Sequence, residues 1–305
     1  MTRLHADLVL LACAAIWGFA FLFQKSAMAH VGPLTFIAAR SFVACLALAP
    51  LVVREQRQVA TPPLGQLCAA AAVAGMAFFL GAAFQQFGLI TASVTNTGFL
   101  TALYVVATPV IAWGLMRRRP SSLIWVAVAI SFVGTWLLGG GAVDAFSPGD
   151  LLVAISALFW ALHVVLLGRA AGFGAPASFT ALQFAVVGLL GLAGALLFED
   201  IRLDGILAAA IDIGYVGILS SAVTFTLFTM ALRATQPTEA AVIVSSETLF
   251  AALGAYLLLG ERLPPIGWLG AGAILAATLL VQFAPTRAPA PPRGARASAP
   301  LHELP

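Results

Sequence analysis

Charge is scarce in this sequence. Asp, Glu, Lys and Arg make up 9% of its 305 residues, against about 25% in an ordinary soluble domain. The balance is +3, with one lysine, Lys25, and arginine at every other basic position. No clustered basic face offers room for a phosphate backbone, so no nucleic acid is expected as a partner. Cysteine is nearly absent. Cys13, Cys45 and Cys68 lie in or beside apolar runs without CxxC spacing, which excludes a disulfide frame or a zinc site and leaves them as small buried hydrophobes. The four histidines show no H-x-x-x-H or H-E-x-x-H spacing, so no metal is expected. No G-x-x-x-x-G-K-[ST] run exists to hold a nucleotide, and no cofactor is expected. An enzyme needs an acid/base pair or an activated nucleophile. Only His163 and Glu247 lie deep enough to serve, so catalysis is not expected.

What is abundant is apolar sequence: 61% hydrophobic residues and a mean hydropathy of +1.02. A membrane-crossing helix needs about 20 mostly apolar residues. Ten segments qualify, near 8–29, 33–53, 65–89, 94–116, 121–139, 150–169, 177–198, 206–232, 238–259 and 265–284. The expected fold is therefore an all-α membrane protein of ten transmembrane helices. Gly and Pro punctuate it, as at Gly32-Pro33, Arg119-Pro120, Gly172 to Pro176 and Gln236-Pro237. Residues 285–305 carry six prolines among Ala and Arg and read as a disordered cytoplasmic tail. Ala27-Met28-Ala29 loosely resembles a cleavage site, but the preceding run is long and Lys25 lies just upstream, so an uncleaved first span is expected.

The layout repeats. Asp7, Trp17, Pro33 and Phe36 return as Asp150, Trp160, Pro176 and Phe179, each 143 residues on. A fixed period marks a duplicated unit, here residues 1–139 and 150–284. Orientation follows from arginine and lysine in the loops. With both termini in the cytoplasm, eleven arginines face inside and only Arg202 and Arg262 face outside. Five spans per copy is odd, so the second copy enters the membrane inverted. Inverted repeats place a substrate site near the midplane, between the halves.

Candidate pathway residues follow from helical spacing. The fourth span carries Thr97, Thr101, Tyr104 and Thr108 on one face, opposite an aliphatic one. Lipid does not favour a polar stripe, so this face should line protein or a water-filled cavity. The first span aligns Cys13, Trp17 and Gln24; the sixth aligns Ser156, Trp160 and His163. Mid-span tryptophans are poorly explained as interfacial anchors, and suit stacking on a ring-bearing substrate. In the third span the adjacent Gln85 and Gln86 cannot both face lipid, so at least one looks inward, and Gln86 and Phe79 are taken as pathway residues. Ser221, Thr224 and Phe228 form a similar face in the eighth span. Ser245 and Glu247 lie mid-way along the ninth, where a carboxylate needs a partner or a proton. Glu247 and His163 are candidate coupling groups. Lys25 and Arg40 are read as structural charges, Arg40 as a clamp on carbonyls or a carboxylate. Gly188, Gly191 and Gly194 should let the seventh span pack closely.

Trp17-Gly18, Lys25, Pro33, Phe36 and Arg40, then Gly260-Glu261-Arg262-Leu263 with Trp268 and Gly270, resemble the drug/metabolite transporter superfamily, EamA type, over residues 7–284. Thr248 departs from it, standing where the family usually has Pro. The resemblance implies ten helices in two inverted halves and export of small metabolites from a bacterial inner membrane. The aromatic candidates look most like the bacterial aromatic amino acid exporters. The implied function is a secondary transporter for amino acids, aromatic ones preferred, working by alternating access. A facilitative carrier or channel for other amphipathic solutes is the alternative. The lipid bilayer and a small-molecule substrate are the expected partners, and a pair of halves enclosing its own site can work as a monomer.

Overall fold

Pro33 and Pro176 each open a long helix, since proline's missing N–H costs nothing in a first turn. In the computed structural model, which describes residues 1–58, 63–117, 119–138, 147–259 and 265–282, the chain is helical throughout. Helices α1 (Arg3–Ala27), α2 (Pro33–Gln58) and α3 (Leu64–Leu89) are continuous. The fourth span is two pieces, α4 (Val94–Thr101) and α5 (Tyr104–Met116). Then come α6 (Ser122–Leu138), α7 (Pro148–Ala170) and α8 (Pro176–Phe198). A short α9 (Leu203–Ala208) precedes the eighth span, where α10 (Ala210–Gly214) and α11 (Thr224–Ala231) flank a π-helical stretch over Tyr215–Val223. The ninth span is again two pieces, α12 (Pro237–Val244) and α13 (Glu247–Leu259), followed by α14 (Pro265–Gln282). Among the described residues eight spans are long and apolar enough to cross a membrane; α6 and α14 are shorter apolar helices. The tail and the Gly260–Leu263 motif lie outside the described residues.

Two helix–helix pairings set the frame. α2 packs along α8, and α6 along α14. In lipid, apolar area drives helix association weakly, so close approach of small residues must do it. A Cβ at Gly191 would sit 3.0 Å from Ala38 N, and one at Gly194 would sit 2.9 Å from Leu34 Cδ1. That is the small face expected for the seventh span, set against α2. A Cβ at Gly270 would lie 2.4 Å from Gly134 O, so α6 and α14 touch backbone to backbone. Trp268 of the same motif is 69% exposed and faces outward.

The α2–α8 pair is also closed at both ends by carboxylates. Glu199 accepts from Leu34 N (2.8 Å), Thr35 N (2.8 Å) and Thr35 Oγ1 (2.7 Å), capping the first turn of α2. Glu55 accepts from Ala177 N (3.1 Å) and Ser178 N (2.8 Å), capping the first turn of α8. Each acid lies at the far end of the partner helix, so α2 and α8 run antiparallel. The remaining contacts follow the same exchange: α1 lies against α12–α13 as α7 lies against α4–α5, and α3 lies against α7 as α11 and its π-helical lead lie against α1.

Of the cysteines, Cys13 is buried and Cys45 intermediate, but Cys68 is exposed on α3. Its neighbours in sequence read as apolar, and the outer surface of a membrane helix is apolar too, so composition could not separate the two settings.

Candidate functional site

The two helix breaks shape the site. In the fourth span Leu103 N donates to Leu100 O (3.2 Å) and Val105 N to Ala102 O (3.0 Å). In the ninth, Ser246 N donates to Ile243 O (3.2 Å) and Thr248 N to Ser245 O (3.2 Å). These are the same tightened i→i+3 turns, 143 residues apart. Hydroxyls reinforce the second: Ser245 Oγ donates to Val242 O (2.6 Å), Ser246 Oγ to Ile243 O (2.7 Å) and Thr248 Oγ1 to Ser245 O (2.9 Å). Such back-bonding bends helices, so the ninth span is interrupted with Thr, not Pro, at 248. Each break ends on the residue that opens the next helix, Tyr104 in one half and Glu247 in the other.

Those two residues face one cavity. It is lined by Trp17, Phe21, Gln24, Arg40, Phe78, Gln85, Thr101, Tyr104, Trp160, Ser220, Phe225, Phe228, Ala241, Val244 and Glu247. Several lining residues are repeat equivalents: Trp17 with Trp160, Gln85 with Phe228, Thr101 with Val244, and Tyr104 with Glu247. Tyr104 and Glu247 interact directly, short of a formed hydrogen bond, since Tyr104 Oη and Glu247 Oε1 both lack a partner at bonding geometry. Trp17 Nε1 donates to Ser220 O (2.8 Å), whereas Trp160 Nε1 has no partner. Gly81 makes room for the Trp160 ring, 3.2 Å from where its own Cβ would be. Gly18 brings α1 onto the break: a Cβ there would lie 2.4 Å from Glu247 O.

Of the sequence candidates, Trp17, Gln24, Thr101, Tyr104, Trp160, Phe228 and Glu247 line the cavity. Phe79, Gln86, Thr97, His163 and Ser245 do not. Gln85 takes the place expected of Gln86; its Nε2 donates to Thr101 Oγ1 (2.8 Å). Gln86 is buried toward α1, its Nε2 3.5 Å from Met28 Sδ. Phe78, not Phe79, reaches the cavity, because adjacent helix positions differ by about 100° and Phe78 is the one that meets Trp160 edge-on at 5.0 Å. Thr97 is spent on Ser93 O (2.8 Å) and Ser245 also on Ser131 Oγ (2.8 Å). His163 stands behind the wall, its Nε2 2.8 Å from Gln183 Oε1 and its ring against Phe78 and Phe225.

The two interior charges divide. Lys25 is the clamp: its Nζ donates to Leu89 O (2.5 Å), Ile90 O (3.3 Å) and Ala92 O (3.0 Å), closing the end of α3. Arg40, expected to be one, is not. It is 4% exposed, lines the cavity, and holds its guanidinium 5.6 Å from the Phe36 ring and 5.5 Å from the Phe78 ring. Its Nε and Nη2 have no hydrogen-bond partner. Phe21, Ser220 and Phe225 were missed. Phe225 carried the one readable signal, a place three residues before Phe228, but the π-helical stretch ahead of it shifts which side chains face inward.

Comparison with known proteins agrees with this frame. An uncharacterized transporter of Archaeoglobus fulgidus is 29% identical over 92% of this chain and 87% of its own length. The uncharacterized inner membrane transporter YedA of Escherichia coli K12 is 27% identical over 93% and 92%. The threonine/homoserine exporter RhtA of the same strain is 29% identical over 53% of this chain and 55% of its own. A crystal structure at 15% identity superposes with a TM-score of 0.75, covering 92% of this chain and 98% of the other, which shows the shared fold. The EamA-like transporter family matches twice, over residues 4–140 and 147–283. This multi-pass membrane protein therefore belongs to the EamA-like transporter family.

Proposed function

We propose that the protein is a secondary exporter of amino acids, favouring aromatic ones, and that it works by alternating access. Residues 1–139 and 150–284 act as two inverted five-helix repeats, ten crossings in all, with both termini in the cytoplasm of a cell bounded by an inner membrane. One observation carries the reading: a single cavity is lined by equivalent positions of both halves, so rocking one half on the other opens it to either side. The caps by Glu55 and Glu199 make α2 and α8 the natural pivot. The breaks before Tyr104 and Glu247 give α4–α5 and α12–α13 a place to flex.

The rings of Trp17, Phe21, Phe78, Trp160, Phe225 and Phe228 supply a wall for an aromatic side chain. Gln24, Thr101, Tyr104 and Glu247 supply its polar contacts. His163, held by Gln183, stiffens the wall, and any coupling of protons falls to Glu247. A second reading, export of small hydroxylated amino acids, is favoured by the similarity to the threonine/homoserine exporter.

Purified protein in liposomes with a panel of labelled amino acids tests both. Counterflow of phenylalanine, tyrosine or tryptophan ahead of threonine supports the first reading. Threonine ahead of the aromatics supports the second. Movement of a different solute class alone, or flux without counterflow, removes both and leaves a carrier of other solutes or a channel.

A further inference from the structure

Two ionisable side chains in this cavity keep hydrogen-bonding atoms unspent. Arg40 and Glu247 are each 4% exposed, and both line it. Arg40 Nε and Nη2 and Glu247 Oε1 lack hydrogen-bond partners, and neither residue takes part in an ion pair among the described residues. A buried charge without a counter-charge is strongly disfavoured. The pair would cancel if the side chains met, yet they are held apart, Arg40 between Phe36 and Phe78 and Glu247 beside Tyr104.

We propose that the cavity recognises both ends of a zwitterionic α-amino acid, with Arg40 receiving the carboxylate and Glu247 the ammonium group. This rests on the amino acid reading above and specifies how the molecule is held. A guanidinium is a flat fork of donors that matches a carboxylate's two oxygens. The Phe36 and Phe78 rings flank it with their π faces but offer it no acceptor, so the acceptor has to come from the cavity's contents. An ammonium has donors only, and finds acceptors in Glu247 and in Gln24 Oε1, which is also buried without a partner. A solute with only an anionic group would leave Glu247 unmatched, and one with only a cationic group would leave Arg40 unmatched. Only a molecule carrying both satisfies the site.

The repeat sharpens the point. The equivalent of Arg40 in the second half is Gln183, and that of Glu247 in the first half is Tyr104. Both are neutral, and Gln183 is already bonded to His163. The two halves thus differ where the charges stand, which gives a polar ligand one direction in an otherwise two-fold hollow. The side chain is left to the aromatic wall.

Proteoliposome counterflow of labelled phenylalanine, competed by 3-phenylpropionate (no amine) and phenethylamine (no carboxylate), tests this on the unaltered protein. Each analogue should compete at least about tenfold more weakly than phenylalanine, because it strands one buried charge. Equal competition by either analogue overturns the assignment. Substitution then tests which pole is which. Arg40→Gln should weaken phenylalanine counterflow and itself drive counterflow of labelled phenethylamine, and Glu247→Gln should likewise gain counterflow of labelled 3-phenylpropionate. A gain cannot come from misfolding. Variants that keep the wild-type ranking of analogues, or gain the opposite one, overturn the assignment while leaving the exporter reading intact. A wild-type protein that moves no amino acid overturns the exporter reading itself.

Discussion

Glu55 and Glu199 do the same work at opposite ends of one helix pair. Glu55, on α2, caps α8; Glu199, just past α8, caps α2. A helix N-terminus carries about half a positive charge and unsatisfied N–H groups, and each carboxylate answers both. Because the caps are reciprocal, α2 and α8 cannot slide without breaking one of them. Glu55→Ala and Glu199→Ala are each expected to cost about 0.5–2 kcal/mol. The double variant should lose roughly the sum, since the sites lie a helix length apart. Thermal unfolding in detergent reads this; an unchanged midpoint in the double variant would show the caps to be idle.

Gly18 and Gly114 separate packing from propensity. A Cβ at Gly18 meets Glu247 O at 2.4 Å, Phe250 Cβ at 2.5 Å and Ala251 N at 2.8 Å, mostly backbone that cannot step aside. Gly18→Ala should destabilise by about 1–3 kcal/mol and depress transport by pushing α13 off the cavity. At Gly114, in α5, a Cβ meets nothing within 4 Å. Gly114→Ala should be neutral or gain up to about 1 kcal/mol of helix stability. The opposite order of midpoints would show that α1 and α13 do not touch as described.

Neighbouring positions on α3 provide an internal control for the cavity. Phe78→Ala removes a ring that touches Trp160, Phe184, Phe225 and Arg40, and should cost transport well beyond its effect on stability. Phe79→Ala should leave substrate affinity within about twofold. Likewise Gln85→Leu should alter transport more than Gln86→Leu. Initial rates against substrate concentration, normalised to folded protein, decide between the members of each pair.

Thr248 stands in the first turn of α13, where proline is tolerated. Thr248→Pro forfeits two bonds to Ser245 O, from Thr248 N at 3.2 Å and Thr248 Oγ1 at 2.9 Å, and should cost about 2 kcal/mol. Leu253→Pro, further along the same helix, should cost about 3 kcal/mol or more. Equal losses in the two variants would mean that the ninth span is continuous through residue 248.

Much of the architecture was readable along the chain. Apolar run length marks a membrane helix because lipid offers no hydrogen-bond partner to the backbone, and proline and glycine mark where helices start and meet. The repeat put Trp17 opposite Trp160 before any coordinates. The breaks were harder to see. At Ala102-Leu103 and Ser245-Ser246 neither Gly nor Pro signals an interruption; tightened turns make both, with hydroxyl back-bonds added at the second.

Chain order alone thus determined which stretches are apolar enough to suit a membrane, how often the pattern recurs, and which polar side chains are too costly to leave in lipid. It could not decide where each of those side chains turns, because a helix rotates about 100° per residue and a π-helical stretch or a broken turn resets that rotation for everything beyond it. So only the packed structure separated Phe78 from Phe79 and Gln85 from Gln86. It likewise assigned the clamp to Lys25, within reach of three free carbonyls, and left Arg40 facing the cavity with donors unspent.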